Sequence, residues 1–140
     1  MRRVGREYLA LVLGGPEADA GLVDAPVGRS SREPTRMAVS AKGKEARTGY
    51  EVERRWPELD VALLRCRLET GRTHQIRVHL AAIGHPVLGD ATYARGRRSP
   101  VDVPRLFLHA TRLTFTHPVT GAPMAFESPL PPDLAAALPE

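Results

Sequence analysis

Apolar residues recur with two different periods along this chain. Glu7-Tyr-Leu-Ala-Leu-Val-Leu13 is an almost unbroken apolar run ended by Gly14-Gly-Pro16. It predicts a strand buried on much of both faces. Val61-Ala-Leu-Leu-Arg-Cys-Arg-Leu68 begins the same way and then alternates with arginines. One side of its second half should be buried and the other wet. Ala46–Val52 reads as its hairpin partner across the Trp56-Pro57 turn. Gly21–Asp24 predicts a brief strand stopped by Pro26, and Met37–Val39 another. Arg112–His117 alternates cleanly, turns at Pro118–Gly121 and returns as Ala122–Glu127. Val27–Arg36, rich in Arg, Ser and Pro, predicts a loop. Tyr93–Pro104 predicts a basic irregular segment carrying Arg95, Arg97 and Arg98. Leu106–Ala110 is apolar and fits either a helix or an extended segment.

The helical period appears once at length. Ile76, Leu80 and Ile83 fall at i, i+4 and i+7 and predict one apolar face on a helix over 73–83. Thr70 and Thr73 are the candidate N-caps. Gly84 should stop the helix, and Pro86 bars its resumption. Val87-Leu88 then reads as a short buried strand closed by Gly89. A second, terminal helix over 133–138 should be capped by Asp133. These elements together predict an α+β fold: a mixed, mostly antiparallel sheet, the central helix packed on it, and a cleft between sheet and helix start.

That helix start is oddly basic. Arg72, His74, Gln75, Arg77 and His79 crowd its first two turns, where the helix dipole already places positive charge. The pattern fits a solvated polar face, or an anion site in which a phosphate or a buried carboxylate meets Arg72 or Arg77.

Thr70-Gly-Arg-Thr-His-Gln-Ile-Arg-Val-His-Leu80, followed by Gly84-His-Pro-Val-Leu-Gly-Asp90, resembles the C-terminal signature of the RluA-type pseudouridine synthases. These enzymes isomerise uridine in ribosomal or transfer RNA. The resemblance extends to Arg6-Glu-Tyr-Leu-Ala-Leu-Val12, to Gly21–Pro26, and to the last hairpin with its closing Phe-x-x-Pro-Leu-Pro. It therefore covers essentially the whole chain, read as one unit over 1–140 with part of the synthase catalytic fold and no second domain.

The resemblance implies a reaction that breaks a C–N glycosidic bond, turns the base and forms a C–C bond, without metal or organic cofactor. It implies a carboxylate near the sugar and a uridine taken out of its stack. Tyr8 matches the family's active-site tyrosine, which stacks on the target base and is a candidate proton acceptor. Arg77 matches the arginine that pairs with the catalytic carboxylate. Leu68 is a candidate wall of the base pocket, and Arg72, His74 and Gln75 are candidate RNA or base contacts. The family's aspartate lies in a His-Arg-Leu-Asp motif, and none of Asp19, Asp24, Asp60, Asp90, Asp102 and Asp133 follows Arg-Leu. The expectation is thus a C-terminal portion of the catalytic domain, inactive alone, with Arg77 lacking its acid. Asp90 should be structural. A non-catalytic RNA-binding remnant is the alternative reading, and a basic domain with no RNA partner a third.

Composition narrows this only slightly. Twenty Lys+Arg against sixteen Asp+Glu give a formal charge of +4 and a pI near 9.8, which suits a polyanion such as RNA. Aromatic residues are 5% of the chain, too few for a broad base-stacking platform. One cysteine, Cys66, excludes an internal disulfide and reads as a buried thiol. His74 and His79 stand about 140° apart on a helix, and no His-Glu-x-x-His pattern occurs, so no metal site is expected. His74 and His85 should bond backbone in turns. No apolar stretch approaches the roughly 18 residues of a membrane span, and no signal peptide is visible. The expected location is cytoplasmic. An apolar edge left by the missing half should favour self-association or complementation by another chain.

Overall fold

A computed structural model describes residues 4–33, 35–94 and 96–140. Arg95 of the basic segment lies outside the described residues. Ten elements follow in order: β1 (Val4–Leu13), β2 (Ala20–Asp24), β3 (Val27–Arg29), β4 (Met37–Val39), β5 (Arg47–Trp56), β6 (Val61–Leu68), α1 (Gln75–Ala82), β7 (Leu108–Thr116), β8 (Pro123–Glu127) and α2 (Pro132–Ala137). Six strands form one sheet in the order β2-β5-β6-β1-β7-β8, and β3 and β4 form a second, two-stranded sheet. Each described strand pair is antiparallel. The fold is α+β.

The most apolar strand occupies the middle of the large sheet. Ala10, Leu11 and Val12 of β1 have no exposed surface, because β6 and β7 pair on either side of it and both sheet faces are covered there. Successive residues point to opposite faces, so one set serves each core. Ala10 and Val12 join Ala62, Leu64, Cys66, Ile76, Leu80 and Val87 beneath α1. Leu11 and Leu13 join Trp56, Val61, Leu88, Phe107 and Leu134 beneath α2. Cys66 is buried, and burial pushes its thiol up to about 12, which leaves it unreactive at neutral pH.

α1 is covered on two sides. Ile76 and Leu80 face the large sheet, while Val78 packs with Val27, Ala46 and Tyr93 under β3 and β4. The segment expected to be a loop after Val27 therefore opens with a strand, and that strand roofs the helix. Ile83 does not complete the apolar face: it is the C-cap and 38% exposed. Gly84 ends the helix as expected. At φ 89° it lets its own N–H reach Ala81 O at 3.0 Å and lets His85 N–H reach Leu80 O at 2.8 Å, which satisfies two terminal carbonyls. The helix start differs from expectation. Neither threonine caps it; His74 does, in the left-handed region at φ 56° and without a side-chain cap bond.

Gly84–Asp90 then threads beneath the end of β1. His85 Nδ1 lies 3.0 Å from Leu13 O, Val87 bridges to Val12, and Leu88 N–H donates to Leu11 O at 2.8 Å. Val87-Leu88 is thus the short buried extended piece read from sequence. Leu106-Phe107 is extended too: Phe107 N–H donates to Leu88 O, and Leu11 N–H to Phe107 O. α2 begins one residue before Asp133, with Pro131 as its N-cap. Asp133 instead pairs with Arg105, 2.8 Å away.

The sheet face opposite α1 carries charge along its open end. Acidic and basic strands alternate there: Glu51 on β5, Arg65 and Arg67 on β6, Glu7 on β1, Arg112 on β7 and Glu127 on β8. Arg67 meets Glu51 at 2.8 Å and Arg65 meets Glu7 at 3.2 Å. These are the wet-face arginines of the β6 pattern, and their charge is matched across the strands. No helix among the described residues is long and apolar enough to cross a membrane.

Candidate active site

The sequence-predicted residues fall into three groups around α1. Tyr8 and Leu68 form the first. Both pack against the cluster that holds Cys66, Ile76 and Leu80, on the sheet face beneath the helix. The ladder between β1 and β7 shifts register between Glu7 and Tyr8. Such a bulge bends a strand and re-aims the side chain beside it. Tyr8 is half-buried, and its hydroxyl makes no hydrogen bond among the described residues. The hydroxyl is not among the buried polar atoms left unpaired, so the ring places Tyr8 while its polar tip stays open to solvent.

Arg77 and His74 belong to the second group, which centres on Tyr93. Arg77 donates from Nε to Asp90 Oδ2 at 2.8 Å and from Nη2 to Asp90 Oδ1 at 2.9 Å. Its guanidinium also lies 5.0 Å from the centre of the Tyr93 ring, as does that of Arg36, close enough for cation–π attraction. The Asp90 side chain is fully buried and that of Arg77 is 17% exposed. This corrects the expectation that Arg77 lacks an acid: Asp90 supplies one from within the same signature. Asp90 is saturated, because Oδ1 also accepts the Thr92 and Tyr93 N–H groups at 3.0 Å each. Burial would raise its pKa, but the Arg77 guanidinium and the two N–H groups together hold it below the usual carboxylate value. The bond to Asp90 raises that of Arg77 in turn. Asp90 is therefore the structural acid read from sequence, and Nη1 of Arg77 remains without a partner among the described residues.

His74 uses its ring rather than the backbone. Nδ1 lies 2.9 Å from the Tyr93 hydroxyl, and the rings meet edge to face. The expectation of a backbone bond is thus corrected for His74, though it holds for His85. Partial burial and then the Arg77 charge lower the His74 pKa, against a smaller opposing pull from Asp90. The hydroxyl of Tyr93 also accepts the Met37 N–H at 3.1 Å. Tyr93 therefore ties β4, the start of α1 and the Asp90 turn together. The sequence reading placed it only at the head of an irregular segment. A usable signal was its position three residues after Asp90, where an aspartate captures the N–H groups that follow it.

Gln75 forms the third group, and its expected contact with RNA is corrected. It is 2% exposed. Its Nε2 donates to Arg47 O at 2.8 Å and Thr48 Oγ1 at 3.0 Å, and its Oε1 accepts the Thr70 hydroxyl at 2.6 Å and the Arg72 N–H at 3.0 Å. Both donors and both acceptor positions of the amide are used. His79 continues the network to Thr48 Oγ1 and to Ala25 O, each 2.8 Å away. Residues two apart on a helix differ by roughly 200°, so Gln75 and His79 tie α1 to β5 on one flank while Arg77 leaves on the other. Arg72 sits just outside, donating from Nε to Glu45 O at 2.7 Å.

The geometry thus offers a phenol beside an apolar wall, its hydroxyl without a protein partner among the described residues, and a rigid arginine on the flank turned away from β5. Among the described residues no three of His, Cys, Asp or Glu gather as metal ligands.

A family model described as RNA pseudouridylate synthase matches residues 1–82. Ribosomal large subunit pseudouridine synthase D of Nitrosomonas europaea is 53% identical over 143 aligned positions, covering 98% of this chain and 41% of that protein. The protein of the same name in Vibrio cholerae is 46% identical, covering 95% of this chain and 44% of its own length. The chain therefore spans about two-fifths of the relatives it matches. Among solved structures, human RNA pseudouridylate synthase domain containing 1 superposes with a TM-score of 0.79 at 30% identity, covering 96% of this chain and 59% of that one. From the signature around α1, the fold and these matches, the chain belongs to the RNA pseudouridylate synthase family, of the RluA and RluD type.

Proposed function

We propose that this chain forms the base-holding part of an RNA pseudouridine synthase, which isomerises uridine to pseudouridine in ribosomal or transfer RNA in the cytoplasm. The observation that carries the reading is Tyr8. It stands beside a bulge, packs with Leu68 against the sheet–helix core, and its hydroxyl makes no hydrogen bond among the described residues. A flipped uracil stacks on that ring, with Leu68 as the apolar wall. The phenol oxygen then takes part in moving the proton that C5 gives up when C5 bonds to the sugar carbon. Arg77, already oriented by Asp90, has Nη1 left to hold a second carboxylate, the one that works at the sugar. That carboxylate belongs to the His-Arg-Leu-Asp motif, which does not occur in these 140 residues. The reaction is an isomerisation and needs no redox partner.

Tritium release from RNA carrying 5-tritiated uridine tests this. The 140 residues joined to a polypeptide bearing His-Arg-Leu-Asp should release tritium, and the 140 residues alone should not. Tyr8→Phe in the joined protein should lower release by about a hundredfold or more, the scale of one lost acid–base group. Unchanged release from the Tyr8→Phe protein would remove Tyr8 from the reaction. A folded joined protein that releases nothing would remove the activity.

A further inference from the structure

We infer that the cleft between the β3–β4 sheet and the loop leading into α1 is a binding site for the phosphodiester backbone of single-stranded RNA. The cleft encloses about 440 Å³ and is lined by Arg29, Lys42, Lys44 and Arg72 with no acidic residue. The charged face of the large sheet also forms a hollow, but Glu7, Glu51 and Glu127 line it along with Arg65, Arg67 and Arg112. Lys42 and Lys44 are exposed and form no ion pair among the described residues. The acid beside them in sequence, Glu45, is bonded to Arg47. Nε of Arg72 is fixed to Glu45 O, so its two terminal nitrogens are held at the rim.

The walls are rigid. Val27 and Lys44 exchange both backbone hydrogen bonds at 2.9 Å. Gly28 and Gly43 permit this approach, since a β-carbon on Gly43 would come within 2.5 Å of the Val27 carbonyl carbon. A basic slot with fixed walls suits a repeating anion better than a mobile lysine tail does. It also continues toward the proposed base site. Arg6 reaches across Gly71, where a β-carbon would stand 2.6 Å from its Nη1, and Arg6 shares the Tyr8 side of β1. A strand whose uridine rests on Tyr8 would lay neighbouring phosphates past Arg6 and into the slot. The identity of the ligand rests on the RNA reading above; the site rests on the cleft.

Fluorescence anisotropy of a labelled single-stranded RNA on the 140-residue chain, measured over a series of KCl concentrations, tests it. Lys42→Gln/Lys44→Gln should bind more weakly and lower the slope of log Kd against log salt by about 1.4, or about 0.7 for each single-strand phosphate contact removed. Arg67→Gln/Arg112→Gln, on the balanced face, should leave the slope unchanged. An unchanged slope in the double-lysine variant, or equal losses in both double variants, would overturn the site. If the wild-type chain binds no RNA while the joined protein turns over uridine, the cleft fails and the activity stands. If the lysine variant loses slope while no protein releases tritium, the activity fails and the cleft stands.

Discussion

At the scale of single residues, the Arg77–Asp90 pair decides most. Removing one partner of a buried bidentate pair leaves a desolvated charge behind, which typically costs about 3–5 kcal/mol. Asp90→Asn should therefore lower the urea midpoint by that equivalent. The pair also sets an acid limit. A carboxylate held below its ordinary value contributes stability that is present above that value and is lost as pH falls through the depressed one. Urea unfolding measured from pH 7 downward should show a loss of wild-type stability below about pH 4 that Asp90→Asn lacks. The need of Arg77 for an acid was legible in the sequence. The identity of that acid was not, because the two stand thirteen positions apart and only the course of Gly84–Gly89 beneath β1 brings them together. The role of Tyr93 is hidden for the same reason: its partners Arg36, Met37 and His74 come from two segments distant from it in sequence.

At the scale of elements, α1 shows what periodicity captures and what it misses. Ile76 and Leu80 face the core as their spacing predicts. Val78, on the far side, is just as buried as Ile76, at 4% exposure, because the roof over it is built by a strand read as loop. Three residues of β3 are too short a run to announce themselves against the Arg- and Ser-rich sequence that follows. Leu80→Ala should cost about 2–5 kcal/mol, the usual range for a fully buried leucine. Gln75→Ala should cost about 1–3 kcal/mol through the buried groups it leaves unpaired, both read by thermal or urea unfolding. If the internal role of Gln75 is right, the RNA affinity of the folded Gln75→Ala protein stays within twofold of wild type. A large affinity loss at unchanged stability would return Gln75 to the RNA surface.

At the scale of the whole molecule, an apolar stripe remains on the outer strands. Leu113 and Phe126 face each other across β7 and β8 and are 39% and 54% exposed, and Phe126 also stacks on Phe115. β8 is an edge strand, so unpaired backbone lies beside exposed rings, a combination that invites association. The 140-residue chain should therefore self-associate in light scattering, and Leu113→Ser/Phe126→Ser should shift it toward monomer. A wild-type monomer at high concentration would count against this. The sequence indicated that an apolar edge should exist. It could not say which edge, since strand order follows from pairings between distant segments and not from any one run of residues.

The double covering of α1 has a consequence for motion. With a sheet below, a small sheet above and its N-terminal turn laced to β5, the stretch from Gln75 to Leu80 is largely enclosed, while Ala82 and Ile83 at the C-terminal end stay exposed. Deuterium uptake in the enclosed stretch should track cooperative opening of the whole domain rather than local fraying. The loop that begins at Ser30, outside that enclosure, should exchange first. The helical part of the signature that identifies the family would then sit in the slowest-breathing part of the molecule, and the segments free to adapt would be those around it.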